Sequence, residues 1–487
     1  MALLRAGCPL HCARGHGNLV LPEMSAAKYF KEQYTVQNLL AVYDQYISLT
    51  SAIGVDRLSR NLFELTVIRE VELISKKAAD GTYKFSQYKE KLISKGAGKY
   101  PRVISIPTYR DRITLRALCN VLKSTFKDNL NVKLPQHTVS ELRTALAGCE
   151  FTHFIKLDVT NFYPSIDHDV LEAVLKRKIR KKEILHLIRA AIESPTVAYP
   201  DRSKPKENRG VPQGLSISNI LAEIYLRRFD EWASKIDQVK YFRYVDDILI
   251  LTNGDPEELF EEVSACLRAD YRLKVHDLTT AGKSMAGQIT DHFNFLGYDF
   301  KNMRASVKLD SIRRLESSLA KIFTTHKYRR AAAAATPDHA VRKAMLERAR
   351  KIFAWRLNLR ITGCLFDEVR RGWVFYFSQI DDESISQLHN LDKTINVLCK
   401  RFAFQPAKGE LKSFVRSFHE AKRSNLTHQY IPNFDTASID EQRQLLKLYG
   451  MENVDTLTDV QVTRAFKRRI RRETSELEQD IQGGSRG

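Results

Sequence analysis

Three aspartates in this chain of 487 residues could do metal chemistry. Asp158 closes the run Phe151 to Val159, and Asp246 and Asp247 stand side by side between two short apolar stretches, Val239 to Val245 and Ile248 to Leu251. Alternation puts Ile155, Leu157 and Val159 on one face of a strand and Phe154, Lys156 and Asp158 on the other. The second segment reads as a hairpin with carboxylates at its tip. Two-metal phosphoryl transfer needs carboxylates brought from different strands around ions ~3.5–4 Å apart. Hard oxygen ligands suit two Mg²⁺ ions, with Mn²⁺ as a substitute. Adjacent aspartates are more often a turn than a metal site, and Asp381-Asp382 reads as a solvated helix start. The apolar strands flanking Asp246-Asp247 set that pair apart, because a carboxylate there is costly unless it faces water or a cation.

The elements that must hold these residues follow from periodicity. Residues 25–95 look helical, with Leu39, Leu40, Val42 and Tyr43, then Leu62, Leu65 and Ile68, near 3.6-residue spacing. Ser94 to Tyr100 reads as a flexible loop, Val103 to Ile106 as a strand, and Asp111 to Phe126 as a helix. After the Asp158 strand comes a helix from Asp169 to Glu193, a proline-rich loop over 195–212, and a helix from Ser216 to Trp232. A helix from Pro256 to Leu267, a strand near Leu273 to Val275 and a strand pair near Phe293 to Phe300 complete a mixed α+β unit. From about residue 308 the pattern is helical and basic. Gly483 to Gly487 reads as a disordered tail.

The bulk composition narrows the partners. Lys and Arg total 78 against 58 Asp and Glu, a net charge of +20, so a polyanion such as nucleic acid is the first partner to consider. An acidic membrane surface is the alternative. No apolar run approaches the roughly 20 residues of a spanning helix, so no membrane insertion is expected. The seven cysteines are scattered and odd in number, which suits a reducing, cytoplasmic setting. Cys8, His11, Cys12 and His16 cluster, but no second pair follows at zinc-finger spacing. Residues 1–23 read as an unstructured leader without signal-peptide character, and Met24 is a candidate start.

The motifs carry a specific resemblance. Tyr244-Val245-Asp246-Asp247 matches the Tyr-X-Asp-Asp signature of reverse transcriptases. The segment from Phe154 through Asp158 and Tyr163 to His168 is similar to the family's first catalytic motif, and Gly210-Val211-Pro212-Gln213-Gly214 to its Pro-Gln-Gly motif. Order and spacing agree with the family over about residues 90–310, and loosely to about 400. The resemblance implies a right-hand α+β polymerase. N-terminal helices and fingers would occupy 24–150, a palm with an antiparallel sheet 151–307 with a fingers insertion at about 169–209, and a helical thumb 308–400. A basic helical C-terminal extension over 401–487 would follow.

It also implies roles. Asp158, Asp246, Asp247 and the backbone of Val159 would hold the metals. Arg102 would grip the incoming triphosphate, its guanidinium suited to bidentate phosphate contact. The amides of Asn161 and Phe162 would approach that triphosphate. Tyr163 would be the aromatic gate against a ribose 2′-hydroxyl, or else core packing. Gln213 and Gly214 would line the nucleotide and template side. Lys283 is either a general acid for departing pyrophosphate or a solvated loop lysine. Phe295, Leu296, Gly297 and Tyr298 resemble the primer grip, or are simply core.

Two basic clusters crowd the C-terminal third: Arg342, Lys343, Arg348, Arg350, Lys351, Arg356 and Arg360, then Arg464, Lys467, Arg468, Arg469, Arg471 and Arg472. The first resembles a thumb tracking duplex phosphates, with Trp355, Trp373, Phe375, Tyr376 and Phe377 as thumb core. The second is either an RNA contact or a charged, solvated helix. No RNase H-like, integrase-like or nuclease pattern is found. The resemblance is therefore to stand-alone bacterial enzymes of the group II intron and retron-like lineage, most of all the defence-associated ones. An RNA-directed DNA polymerase copying a noncoding RNA in antiphage defence is expected, with RNA template, DNA product and dNTPs as partners. An RNA-binding intron maturase, or untemplated or protein-primed synthesis, is the alternative. Homo-oligomerisation stays open.

Overall fold

The computed structural model describes residues 25–48, 50, 52–94, 100–127, 135–280, 282–423 and 430–485. The leader, Met24, the Cys8–His16 cluster, most of the 94–100 loop and the last two residues lie outside the described residues. The chain forms two compact units. One comprises residues up to 133 with 149–289, and the other 134–148 with 290–487. The division falls before the Phe293–Phe300 strand pair, not at residue 307. It assigns the helix Pro135–Ala147 to the second unit.

The first unit has strands β1 (Tyr88–Ile93), β2 (Arg102–Ile106), β3 (His153–Asp158), β4 (Thr196–Val197), β5 (Val239–Tyr244), β6 (Asp247–Thr252) and β7 (Met285–Gln288). The main sheet runs β5-β6-β3-β7, antiparallel throughout. Its centre is β6, where Ile248, Leu249, Ile250 and Leu251 are fully buried. The helices Tyr109–Thr125, Ser218–Ala233 and Pro256–Tyr271 supply apolar faces to one continuous core with this sheet.

A second sheet runs β2-β1-β4. Strand β1 lies where a helix was expected. Its sequence, Tyr-Lys-Glu-Lys-Leu-Ile, has too much charge to advertise a strand. The ladder to β2, from Lys89↔Ile106 to Ile93↔Arg102, decides its state, and that partner is not local. The helix expected over 169–193 is two, His168–Leu175 and Lys182–Glu193. The break coincides with the basic run Lys176 to Lys182, whose like charges disfavour a continuous helix, and it lets Ile179 bury completely. The strand expected near Val275 reduces to one bridge, Val159↔Val275.

The second unit carries β8 (Phe293–Phe295), β9 (Tyr298–Lys301) and β10 (Arg304–Val307) as a meander, and a hairpin of β11 (Cys364–Phe366) and β12 (Val369–Arg371). That hairpin interrupts the region expected to be helical. Its turn residues, Asp367 and Glu368, both have positive φ, and the Asp435 carboxylate accepts both their amides at 2.8 Å. This local bonding offsets the strain a non-glycine residue bears there. Long helices Leu309–Ala334 and His339–Thr362 pack together, and the final helix, Asp459–Ser485, runs past the glycines where the tail was expected. Val462, Phe466 and Ile470 seat it against Leu445, Leu446 and Val454.

Candidate active site

The register of the main sheet brings the aspartates together. Asp158 ends β3 and is the direct cross-strand partner of Asp247, which begins β6. Tyr244 pairs with Asp247 on the other side, so Val245 and Asp246 form a two-residue turn. Two-residue hairpin loops require positive φ at their first or both central positions. Here Val245 takes φ 60°. A β-branched residue there is strained, by about 1–3 kcal/mol, and such strain clusters at functional sites.

Asp158 is pinned on its backbone. Its amide donates to the buried Ser284 Oγ at 3.1 Å, and its carbonyl accepts from the His276 amide at 3.0 Å. Thr160 N–H bonds the Lys274 carbonyl, carrying Val159 between them. The carboxylate itself meets Lys283, with Nζ 2.8 Å from Oδ2. Lys283 is an exposed loop lysine that pairs with this carboxylate. Among the described residues no three His, Cys, Asp or Glu side chains are gathered tightly enough to hold an ion as they stand. The donor chemistry nevertheless fits a hard cation: two carboxylates face each other across the ladder and a third begins one residue away. Occupation would require the Lys283 ammonium to leave Asp158.

Three other predicted segments converge around this strand end. Asn161 takes a left-handed conformation (φ 47°, ψ 50°) and starts the short helix Phe162–Ser165. Phe162 is buried in the core, whereas Tyr163 is only half-buried and its hydroxyl donates to Asn219 Oδ1 at 2.8 Å. Phe162 belongs to the core, and Tyr163 packs against the same core with one side. The Gly210–Gly214 loop is tied to this helix: Gly210 N–H bonds Ile166 O at 2.8 Å and Val211 N–H bonds Tyr163 O at 2.9 Å. The same loop reaches β2, where Ser105 N–H donates to Gln213 O at 2.7 Å. Gly214 has φ +102°, and a Cβ on it would stand 2.8 Å from Ile104 Cγ2 and 3.0 Å from Ser105 O. Only glycine permits that approach. Arg102 opens β2, so it stands on the strand that this loop braces.

Several residues in this neighbourhood were not singled out from sequence. Asn219, Ser284 and the trio Arg243, Glu223 and Asp230 carry no motif signal. They are visible only once the chain is folded. His168 is buried, and its Nε2 sits 2.6 Å from Gly210 O, which makes it the donor that holds the loop. Burial lowers its pKa below the ordinary histidine value. Arg112, in the same run as Arg110, bonds Thr50 Oγ1 and Ala52 O and is structural.

In the second unit, Phe295–Tyr298 do form a hairpin, with Leu296 at φ 50° and Gly297 at φ 84°. Phe295, Leu296 and Tyr298 are buried, however, and Tyr298 Oη donates to Tyr376 O at 2.6 Å. These aromatics are core, as are Trp373, Phe375, Tyr376 and Phe377. The first basic cluster is largely occupied within the unit. Arg350 pairs with Glu410 at 2.5 Å and Arg356 with Glu473 at 2.9 Å, and Arg348 donates to Leu448 O. The Asp381-Asp382 pair does start a short helix with Asp382 exposed, while Asp381 also binds Arg143 and accepts from the Ala305 amide.

Residues 93–300 match the family model described as reverse transcriptase (RNA-dependent DNA polymerase), a span that contains Asp158, Asp246, Asp247 and the Gly210–Gly214 loop. Over this region the chain resembles reverse transcriptases. Its sequence relatives agree. YkfC of Escherichia coli K12 is 22% identical over 291 residues, covering 50% of this chain and 74% of YkfC. The group II intron-encoded protein LtrA of Lactococcus lactis subsp. cremoris is 26% identical over 214 residues, 42% of this chain. The match spans only 34% of LtrA. Among solved structures, apo telomerase from Candida tropicalis, truncated from its C-terminal domain, aligns at TM-score 0.34 and 16% identity over 52% of this chain and 60% of that one. The Sicinivirus 3Dpol RNA-dependent RNA polymerase aligns at 0.44 and 12% over 72% and 70%. Among the described residues, no helix is long and apolar enough to cross a membrane.

Proposed function

We propose that the full chain is an RNA-directed DNA polymerase that makes cDNA from an RNA template by a two-metal mechanism. The observation that carries this reading is the register pairing Asp158 with Asp247 at the end of a buried ladder, with Asp246 in the strained turn beside them. When bound, two Mg²⁺ ions would supply Lewis-acid stabilisation of the entering and leaving oxygens. Asp158, Asp246 and Asp247 would hold them, with the Val159 carbonyl. Arg102 and the amides of Asn161 and Phe162 bind the triphosphate, and Gln213 and Gly214 floor the nucleotide. Tyr163 excludes a 2′-hydroxyl. Lys283, already in contact with Asp158, delivers a proton toward pyrophosphate. The Phe295–Tyr298 hairpin seats the primer through its backbone, its side chains being buried.

The template we propose is a noncoding RNA, and the setting bacterial antiphage defence. Support comes from the resemblance to stand-alone enzymes and from the large helical unit beyond the domain. The intron-encoded relatives favour a second reading, an RNA-binding maturase with accessory polymerase. The test is primer extension by the purified full chain on a defined RNA with dNTPs and Mg²⁺, beside the double variant Asp246→Ala, Asp247→Ala. Extension by wild type and none by a folded double variant is expected. Equal extension by both would remove the site assignment. Splicing assistance that survives the double variant would favour the maturase.

A further inference from the structure

A part-buried ion cluster stands beside the turn that bears Asp246 and Asp247. Arg243, on β5, has a side chain only 4% exposed. It faces two carboxylates from the helix Ser218–Ala233. Nη2 lies 2.8 Å from Glu223 Oε2 and 2.5 Å from Asp230 Oδ2, and Nε lies 2.6 Å from Asp230 Oδ1. Tyr241 Oη also donates to Asp230 Oδ1, at 2.7 Å. The other terminal nitrogen, Nη1, donates both to Glu223 Oε1 at 3.3 Å and to the Val245 carbonyl at 2.9 Å.

Two facts about this arrangement bear on the turn. Val245 is the residue held at φ 60°, so its carbonyl is the group that a relaxing turn would swing. A planar guanidinium locked by a fork of carboxylates presents its last N–H in a fixed direction, which a lysine cannot do. Burial by itself would lower the pKa of Arg243, but Asp230 and Glu223 more than reverse this, so the clamp stays charged. A structural ion pair needs only the carboxylates. The bond to Val245 O is an additional contact, and it ends one residue from the candidate metal ligands.

We infer that Arg243 is a positioning residue: clamped by Glu223 and Asp230, it holds the strained Val245 carbonyl and thereby sets the Asp246-Asp247 turn for metal binding. The inference rests on the reading of those aspartates as metal ligands. It does not follow from the family motif, which begins at Tyr244.

The test uses the full chain with Arg243→Lys, Asp230→Asn, Val245→Gly and the double variant Arg243→Lys, Val245→Gly. Mn²⁺ affinity is read by electron paramagnetic resonance without nucleotide, and primer extension is read as kcat and KM across a Mg²⁺ titration. Melting is followed for each protein, and Asp230→Asn serves if Arg243→Lys does not fold. Loosening the clamp is expected to weaken Mn²⁺ several-fold and to cut kcat by about 10–100-fold, the cost of small misplacement, with little change in KM for dNTP. Val245→Gly removes the strain, so in the Arg243→Lys background it should recover at least part of both losses. Wild-type Mn²⁺ affinity in folded Arg243→Lys and Asp230→Asn, or losses that Val245→Gly does not touch, would overturn the inference. Absence of extension by wild type would count against the polymerase reading alone, because the Mn²⁺ measurement still tests the clamp.

Discussion

Lys283 Nζ lies 2.8 Å from Asp158 Oδ2, so the one strand-end aspartate of β3 already has a cation on it. The lysine is 46% exposed and the aspartate 30%, so the pair is solvent-screened and easily exchanged. A divalent ion would compete with it directly. A unit charge and a divalent ion about 4 Å apart repel by roughly 2 kcal/mol in water. Lys283→Gln should therefore lower the half-saturating Mg²⁺ concentration by up to about thirtyfold. If the lysine also delivers the proton to pyrophosphate, kcat falls by about 10²-fold or more. A Mg²⁺ titration of primer extension reads both. An unchanged Mg²⁺ requirement would show that the ion pair does not matter in solution.

Tyr163 and Asn219 should act together on sugar selection. Tyr163→Ala is expected to reduce the preference for dNTP over rNTP by roughly 10–100-fold. Asn219→Ala removes one hydrogen bond that orients the ring, worth about 1 kcal/mol, and should reduce it by about fivefold. Single-nucleotide incorporation with paired dNTP and rNTP measures the ratio. Unaltered selectivity in Tyr163→Ala would end the gate assignment.

Gly214→Ala should harm both stability and nucleotide binding. The added Cβ meets Ser105 O, which is backbone and cannot yield, at a residue with φ +102°. A cost of about 1–3 kcal/mol is expected. Thermal melting and KM for dNTP check this, and a variant that melts like wild type would contradict it.

His168 gives the protein a pH dependence of stability. Burial lowers its folded pKa, so the unfolded chain takes up the proton first as pH falls. This contribution is fully present above about pH 6.5 and is lost as pH drops below it, by up to about 1.4 kcal/mol per pH unit until the folded pKa is reached. Denaturant unfolding between pH 5 and 8 should show a slope that His168→Gln flattens. The same slope in the variant would assign it elsewhere.

The aspartates, the Gly210–Gly214 loop and the ladders around them were legible in sequence because each depends on local pattern: apolar alternation, a turn, a glycine between prolines and serines. What sequence missed depends on partners far along the chain. Strand β1 exists through its pairing with β2, and Arg243 matters through Glu223 and Asp230 on another element. Charge counting also misled. Arg350 and Arg356 looked like nucleic-acid contacts, yet Glu410 and Glu473 hold them within the second unit. A count of cations does not distinguish those that face solvent from those already paired.

RNA-templated DNA synthesis by this chain, as proposed above, depends on Asp158 and Asp246. Its most direct measurement is incorporation of each dNTP, singly, opposite a known base of a primed RNA by the full chain in Mg²⁺, beside Asp158→Asn and Asp246→Asn proteins that melt like wild type. Wild type is expected to add only the complementary nucleotide, and neither variant to add any. Incorporation by the folded variants at the wild-type rate would contradict it.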